Sequence, residues 1–310
     1  AGFVTLALTS TITAALRGVG NSKIAMVYNL TANVVNVIFN YLLINGNLGF
    51  PRMEVAGASL ATVIGQLVAF ILAMGAILRG KQYITLRFRD GFKPNLQVIK
   101  PIFKIGMPAL IEQVFMRIGV ITYVRTVASL GTVAYATHQI CMNIQAMSFM
   151  TGQAFGVSST SLVGQSLGKR RPDMAQAYSS RTNRIGIMVS IGLAFIFFFM
   201  GEPIVALYTD EQEVIKQGAG ILMLVALVQP LQSSQFTLSG TLRGAGDTRS
   251  IAIITFITVM LIRPGLAMFC IYQLKWGLEG AWIALVADQF TRSLLVMLRY
   301  RTGKWKSIKV

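Results

Sequence analysis

The sequence is poor in the groups that most often carry chemistry: its 310 residues include one histidine, two cysteines and eleven acidic side chains. Cys141 and Cys270 lie in apolar stretches with no second thiol or imidazole at ligand spacing. That excludes a disulfide framework and a cysteine-based metal site, and both read as packing residues. GxSxG, HExxH and Walker-type motifs are missing as well, so no enzyme is expected. An ATP-driven pump would need a nucleotide-binding domain, which is absent from these residues. Charge is scarce: 13% of residues are charged against 54% hydrophobic, and the mean hydropathy is +0.62, a balance far from that of a soluble domain.

What is abundant is apolar sequence in stretches of about 20 residues, the length a helix needs to cross ~30 Å of hydrocarbon. Eight spans are expected, at 24–45, 55–78, 102–129, 136–163, 185–207, 215–240, 250–272 and 279–298. A ninth, 1–15, is short and opens on Ala1-Gly2-Phe3 with no basic flank. It reads as a helix cut at its N-terminal end and not as a signal peptide.

The net charge of +17 is distributed in a way that discriminates between partners. Of the 28 Lys and Arg residues, 21 fall in alternate connections: Arg17 and Lys23, seven from Arg79 to Lys104, five from Lys169 to Arg184, Arg243 and Arg249, and five from Arg299 to Lys309. The intervening connections hold Arg52, Lys216 and Lys275, and the stretch with Glu202, Asp210, Glu211 and Glu213 is acidic. Every second connection is basic, which assigns those connections and the C-terminus to the cytoplasmic side of a plasma (inner) membrane. Nucleic acid would need one continuous basic face and is not expected as a partner.

The segment Leu16-Arg17-Gly18-Val19-Gly20-Asn21-Ser22-Lys23 recurs as Leu242-Arg243-Gly244-Ala245-Gly246-Asp247-Thr248-Arg249, 226 residues later. Ala56-Gly57-Ala58 with Gln66 lines up with Glu279-Gly280-Ala281 with Gln289, an offset of 223. Both copies of the turn fall on the same side of the membrane, so the repeat is parallel and implies two pseudo-symmetric six-helix lobes. In the turns, Gly18, Gly20, Gly244 and Gly246 permit close approach and positive φ, Arg17 and Arg243 follow the positive-inside bias, and Asn21 or Asp247 is placed to cap the next helix.

These residues resemble the multidrug and toxic compound extrusion (MATE) transporters over essentially the whole chain. The resemblance rests on both LRGxG turns, Asn36–Leu43, Val55–Ala58, Gly106-Met107-Pro108-Ala109, Ala136–Ile140 and Leu162-Val163-Gly164-Gln165. It implies an all-α polytopic membrane protein whose N-lobe is incomplete here, running from the end of the fourth helix to the twelfth. Residues 1–80 would then finish the N-lobe, 81–104 form a cytoplasmic loop, 105–300 the C-lobe and 301–310 a basic tail. The implied activity is export of organic, often cationic, compounds in exchange for Na⁺ or H⁺, with no other cofactor. The expected partners are the bilayer and small organic substrates, and the protein is expected to be monomeric. A lipid-linked sugar flippase of the same superfamily is the alternative, favoured if arginines line the cavity.

Ionisable residues inside membrane spans are the first functional candidates, because each is costly unless it faces water or a partner. Here they are Glu112, Arg117, Arg125, Arg263, Asp288 and Arg292. Asp288 and Arg292 are spaced to pair along one helix. Glu112 has no basic residue at i+3 or i+4, so water, an ion or another helix must satisfy it. The resemblance adds Gln232, where one branch of the family has a carboxylate, and Asn36 with Asn40, where another has Asn and Asp. An amide can coordinate Na⁺ but carries no titrating proton. Asn29 and Asn33 extend that stripe and predict a polar cavity lining. His138 is read as a structural hydrogen-bonding residue, Arg263 before Pro264 as the mark of a kinked helix, and Met142, Met147, Met150, Phe149 and Phe155 as packing or lipid-facing residues.

Overall fold

Long apolar stretches leave the backbone one way to satisfy itself in hydrocarbon, the α-helix. The computed structural model, which describes residues 2–79, 84 and 95–308, is helical with no strand among them. It divides into two units, Ala1–Pro94 and Asn95–Val310.

The first unit holds α1 (Gly2–Gly18), α2 (Ser22–Asn45) and α3 (Glu54–Leu78). Small residues bring α2 and α3 together: a Cβ on Gly57 would stand 2.6 Å from the Leu43 carbonyl oxygen, and one on Gly65 would stand 3.1 Å from that of Ala32. Leu16, Ala25, Tyr28, Ala73 and Ile77 form its small core.

The second unit holds α4 (Leu96–Ala128), α5 (Thr132–Gly168), α6 (Pro172–Phe199), the short α7 (Gly201–Ala206), α8 (Gln212–Gly244), α9 (Thr248–Thr255), α10 (Arg263–Met268) and α11 (Gly277–Arg301). Helix α8 is central and packs on α5, α6 and α11. Its approach to α5 is set by glycine, since a Cβ on Gly240 would run into the Gly156 backbone and one on Gly244 into that of Thr160. Hydroxyls then bind across the contact: Thr160 donates to the Gly240 carbonyl at 2.8 Å, and Thr241 meets both Ser159 and Ser179 at 2.7 Å.

Residues 248–273 form one continuous rod that is not uniformly α-helical. Thr255, Val259, Arg263, Ala267 and Ile271 are all buried, a repeat of four. An α-helix with about 3.6 residues per turn would carry such a row around its circumference. Two π-helical segments, Phe256–Ile262 and Phe269–Gln273, widen the turn and hold the row on one side. Pro264, where a kink is expected, lies in the α-helical turn between these two segments.

Seven of the described helical rods are long and apolar enough to cross a membrane. Helix α1, with 17 residues, and α5, with a largely polar buried face, fall outside that group.

Two expected boundaries are corrected. Residues 96–104, read as loop, are the first turns of α4, capped by Asn95, whose side chain accepts from Gln97 N at 2.9 Å; residues 81–83 and 85–94 of that loop lie outside the described residues. The span expected at 185–207 is α6, which starts at Pro172 and ends at Phe199, followed by the separate α7. Hydropathy finds the part of a helix that suits hydrocarbon and misses polar turns projecting beyond it. The tail from 301 is packed: Trp305 is buried, stacks on Tyr300 at 5.4 Å and donates to its carbonyl at 3.0 Å.

Candidate functional site

The duplicated turns share their backbone bonds. Asn21 N donates to the Leu16 carbonyl at 2.8 Å and Gly20 N to that of Arg17 at 3.0 Å, while Asp247 N donates to Leu242 at 2.8 Å and Gly246 N to Arg243 at 3.0 Å. Gly20 and Gly246 hold φ of 88° and 83°. Both are Schellman ends, in which glycine takes the left-handed position without Cβ strain; the end of α5 has the same bonds with Arg170 at φ 56°. Neither Asn21 nor Asp247 makes the expected side-chain cap. Asp247 instead accepts from Ser250 Oγ at 2.7 Å and Arg299 Nε at 2.7 Å, tying the turn to the end of α11.

The turn aims Arg243 into the second unit. Its Nη2 lies 2.5 Å from Glu112 Oε1, and Thr255 Oγ1 approaches the same oxygen at 3.3 Å. Glu112 is buried and the Arg243 side chain is 38% exposed, so the pair spans from the interior to the surface. Of the three ways open to satisfy Glu112, the structure uses another helix.

Asp288 is not held by Arg292 alone, as the local spacing predicted. Its Oδ2 accepts from Arg292 Nη2 at 2.9 Å and also from Arg263, Nη2 at 2.5 Å and Nε at 3.0 Å. The three side chains are 0%, 5% and 7% exposed. One buried carboxylate therefore serves two guanidiniums, an arrangement in which removing the acid would leave two uncompensated charges. The π-helical rod is what turns Arg263 inward to reach it.

Amides surround these charges. Gln232 is fully buried with neither side-chain polar atom hydrogen-bonded, and the same holds for Gln145 and Gln289. Gln229 accepts a short hydrogen bond from Ser148, while its amide nitrogen has no partner. Ser293 on α11 donates to the Leu231 carbonyl of α8 at 2.9 Å, so the two helices touch one residue from Arg292 and one from Gln232.

In the first unit a cavity of about 500 Å³ is lined by Arg17, Asn29, Asn33, Asn36, Gln66 and neighbouring small residues. The expected polar lining is present for three of the four asparagines. Asn40 lies beyond it and donates to Asn36 Oδ1 at 3.1 Å.

His138 corrects the expectation of a hydrogen-bonding role. Both ring nitrogens are buried without a partner, and the imidazole packs between Tyr123 and Trp282, with centroids 5.6 and 5.4 Å away. Phe149 packs edge-on against Phe236 at 5.5 Å, whereas Met147 and Met150 are exposed. Cys141 and Cys270 are buried free thiols. Sequence reasoning missed two partnerships, Arg243 with Glu112 and Arg263 with Asp288. The available signal was charge balance, since the embedded arginines outnumber the embedded carboxylates. It also missed the buried glutamines 145, 229 and 289.

The MatE family model matches residues 108–269. The chain is 28% identical over 306 residues to a probable multidrug resistance protein NorM of Thermotoga maritima, covering 98% of this chain and 65% of that protein. It is 30% identical over 289 residues to a probable NorM of Mannheimia succiniciproducens, covering 91% and 62%. Against the multidrug resistance protein MdtK of Yersinia pestis the identity is 29% over 292 residues, covering 92% and 63%. The chain thus spans less than two thirds of the length of these relatives, which are named for drug resistance and not for catalysis.

Among solved structures, MATE in its bent conformation superposes with a TM-score of 0.88 at 19% identity, covering 98% of this chain and 67% of that one. A MOP superfamily transporter from Pyrococcus furiosus, described as having a binding pocket of reverse polarity, gives 0.90 at 20% identity, covering 99% and 69%. These likenesses show a shared fold. Because the family model covers more than half of its residues, the chain belongs to the MatE family.

Proposed function

We propose that the protein is a secondary antiporter that exports organic, often cationic, drugs or metabolites from the cytoplasm in exchange for Na⁺ or H⁺, by alternating access of two lobes. The observation that carries this reading is family membership joined to a charged and amide-rich interior built from helices long enough to cross a membrane. Polar groups at that depth are expensive unless they take part in a transport cycle or hold its machinery. Glu112, Asp288, Gln232, Asn36 and Asn40 are the proposed cation- or substrate-handling residues. In this reading the C-terminus is cytoplasmic and the protein works as a monomer in the plasma membrane.

A lipid-linked sugar flippase is the second reading. It draws on Arg117 and Arg125, which are exposed on the side of α4 opposite buried Glu112, Gly119 and Tyr123. Arg117, near the middle of the span, does not face lipid without a large cost, whereas Arg125 lies in the last turn of α4; a pyrophosphate is a natural counter-charge.

The test is efflux of a fluorescent organic cation from proteoliposomes carrying the full-length protein, under an imposed Na⁺ gradient and separately under a pH gradient, each with Glu112→Gln alongside. Efflux driven by one gradient and lost in the variant supports the antiporter and names its ion. No efflux under either moves the weight to the flippase.

A further inference from the structure

The seam between α4 and the rod that begins at Thr248 carries two cavities. One, of about 210 Å³, is lined by Pro101, Lys104, Asp247, Thr248 and Arg249, with Ile308 of the tail beside them. The other, of about 350 Å³, is lined by Pro108, Ile111 and Phe115 of α4 and by Ala252, Ile253 and Phe256 of the rod. Arg249 lines both, so each continues the other. Residues 104, 108, 111 and 115 recur at the spacing of one helix face, as do 249, 252, 253 and 256. Phe115 and Phe256, with ring centroids 4.7 Å apart, close the far end.

The smaller cavity has the chemistry of an anion site. Asp247 makes no side-chain cap on the rod, so the first-turn N–H groups lack that partner and the positive end of the helix dipole is left for a ligand. Thr248 lines the same cavity at 4% exposure, and its Oγ1 has no hydrogen-bond partner. A buried hydroxyl without a partner marks a missing occupant. Lys104 and Arg249 are exposed and, among the described residues, neither makes a salt bridge. Asp247, the one acid in the lining, is met by Arg299 at 2.7 Å. Two cations, an uncapped helix start and an orphaned hydroxyl therefore share one cavity.

The larger cavity says what the anion is attached to. Apart from Arg249 its lining is wholly apolar, and Ile111 and Ile253, 41% and 59% exposed, leave it open at the surface of the unit. Water would satisfy Thr248 but gains nothing in the apolar groove, and a free inorganic anion would leave that groove empty. We propose that this seam binds one anionic phospholipid, its phosphate held by Lys104, Arg249, Thr248 and the start of the rod, and an acyl chain lying in the groove. The lipid is a fixed ligand that ties α4 to the rod and is not transported. Neither the export reading nor the flippase reading supplies it.

The experiment is native mass spectrometry of the full-length protein, stripped of lipid in detergent and titrated with phosphatidylglycerol, with phosphatidylcholine and inorganic phosphate as comparison arms. One phosphatidylglycerol per chain is expected to bind ahead of all others and ahead of phosphatidylcholine. Its affinity should fall about 30-fold in the double variant Lys104→Gln with Arg249→Gln, about fivefold for each surface cation. Ile253→Trp keeps every charge and crowds the groove, and should weaken binding about tenfold by displacing about two methylenes. Arg181→Gln, at an exposed position on α6, should change nothing. If the double variant misfolds, either single variant decides by the same measure. Equal binding of phosphatidylcholine, displacement of the lipid by inorganic phosphate, or undiminished affinity in the folded charge variants or in Ile253→Trp overturns the proposal. Because lipid binding is read without transport, that outcome leaves the export reading standing.

Discussion

The two units carry the same turn and opposite interiors. In the first, Arg17 joins asparagines and Gln66 around a cavity whose other lining side chains are uncharged. In the second, the corresponding Arg243 meets a buried carboxylate, and a second acid deeper in the fold is shared by two arginines. The same backbone device therefore fixes the loop and leaves the chemistry free. A Schellman end specifies where the chain reverses and which way its arginine sets out. What that arginine finds depends on the helices packed beneath it, and those have diverged between the copies.

The largest expected difference is electrostatic. Asp288→Asn strips the counter-charge from two buried guanidiniums and should cost about 3–5 kcal/mol, whereas Asn40→Ala, which loses one neutral hydrogen bond, should cost about 1 kcal/mol. Thermal unfolding of the two purified variants against the parent measures both, and equal losses would show that the interiors are less different than their charges suggest.

Next comes packing at equivalent glycines. A Cβ on Gly244 drives into the Thr160 backbone, while one on Gly18 meets nothing within 4 Å. Gly244→Ala should cost about 1–3 kcal/mol through overpacking of the contact between α5 and α8, and Gly18→Ala should be neutral or stabilising by up to about 1 kcal/mol. Melting temperatures decide, and a penalty at Gly18 would reveal a close neighbour there.

The smallest effect should be the shared one. Gly20→Ala and Gly246→Ala both place a side chain at positive φ and should each cost about 1 kcal/mol. Chemical unfolding that separates the two by more than about 1 kcal/mol would show that the turns are alike in form and unequal in importance.

Much of the architecture was legible because hydrophobic length and charge alternation are one-dimensional signals. The spans, the basic connections and the repeat need no partner residue to be seen. The helix ends were not legible at 96–104 and 172–184, where polar sequence continues a helix for reasons of capping and packing. Of the candidate site residues, Glu112, Asp288 and Gln232 stand out by residue type, and the structure buries all three. Their partners were not, since Arg243 and Arg263 lie 131 and 25 residues away in sequence. Local spacing offered Arg292 to Asp288 and offered Glu112 nothing.

The rod from Thr248 to Gln273 has a mechanical consequence. A π-helical segment holds more backbone per turn than the α-helix around it, so it is a store of winding. Two such stores lie on either side of Arg263. Rewinding either one into α geometry would rotate everything beyond it about the helix axis without moving its ends far. The rod is a screw with two loose threads, and the guanidinium that neutralises Asp288 rides on the part between them.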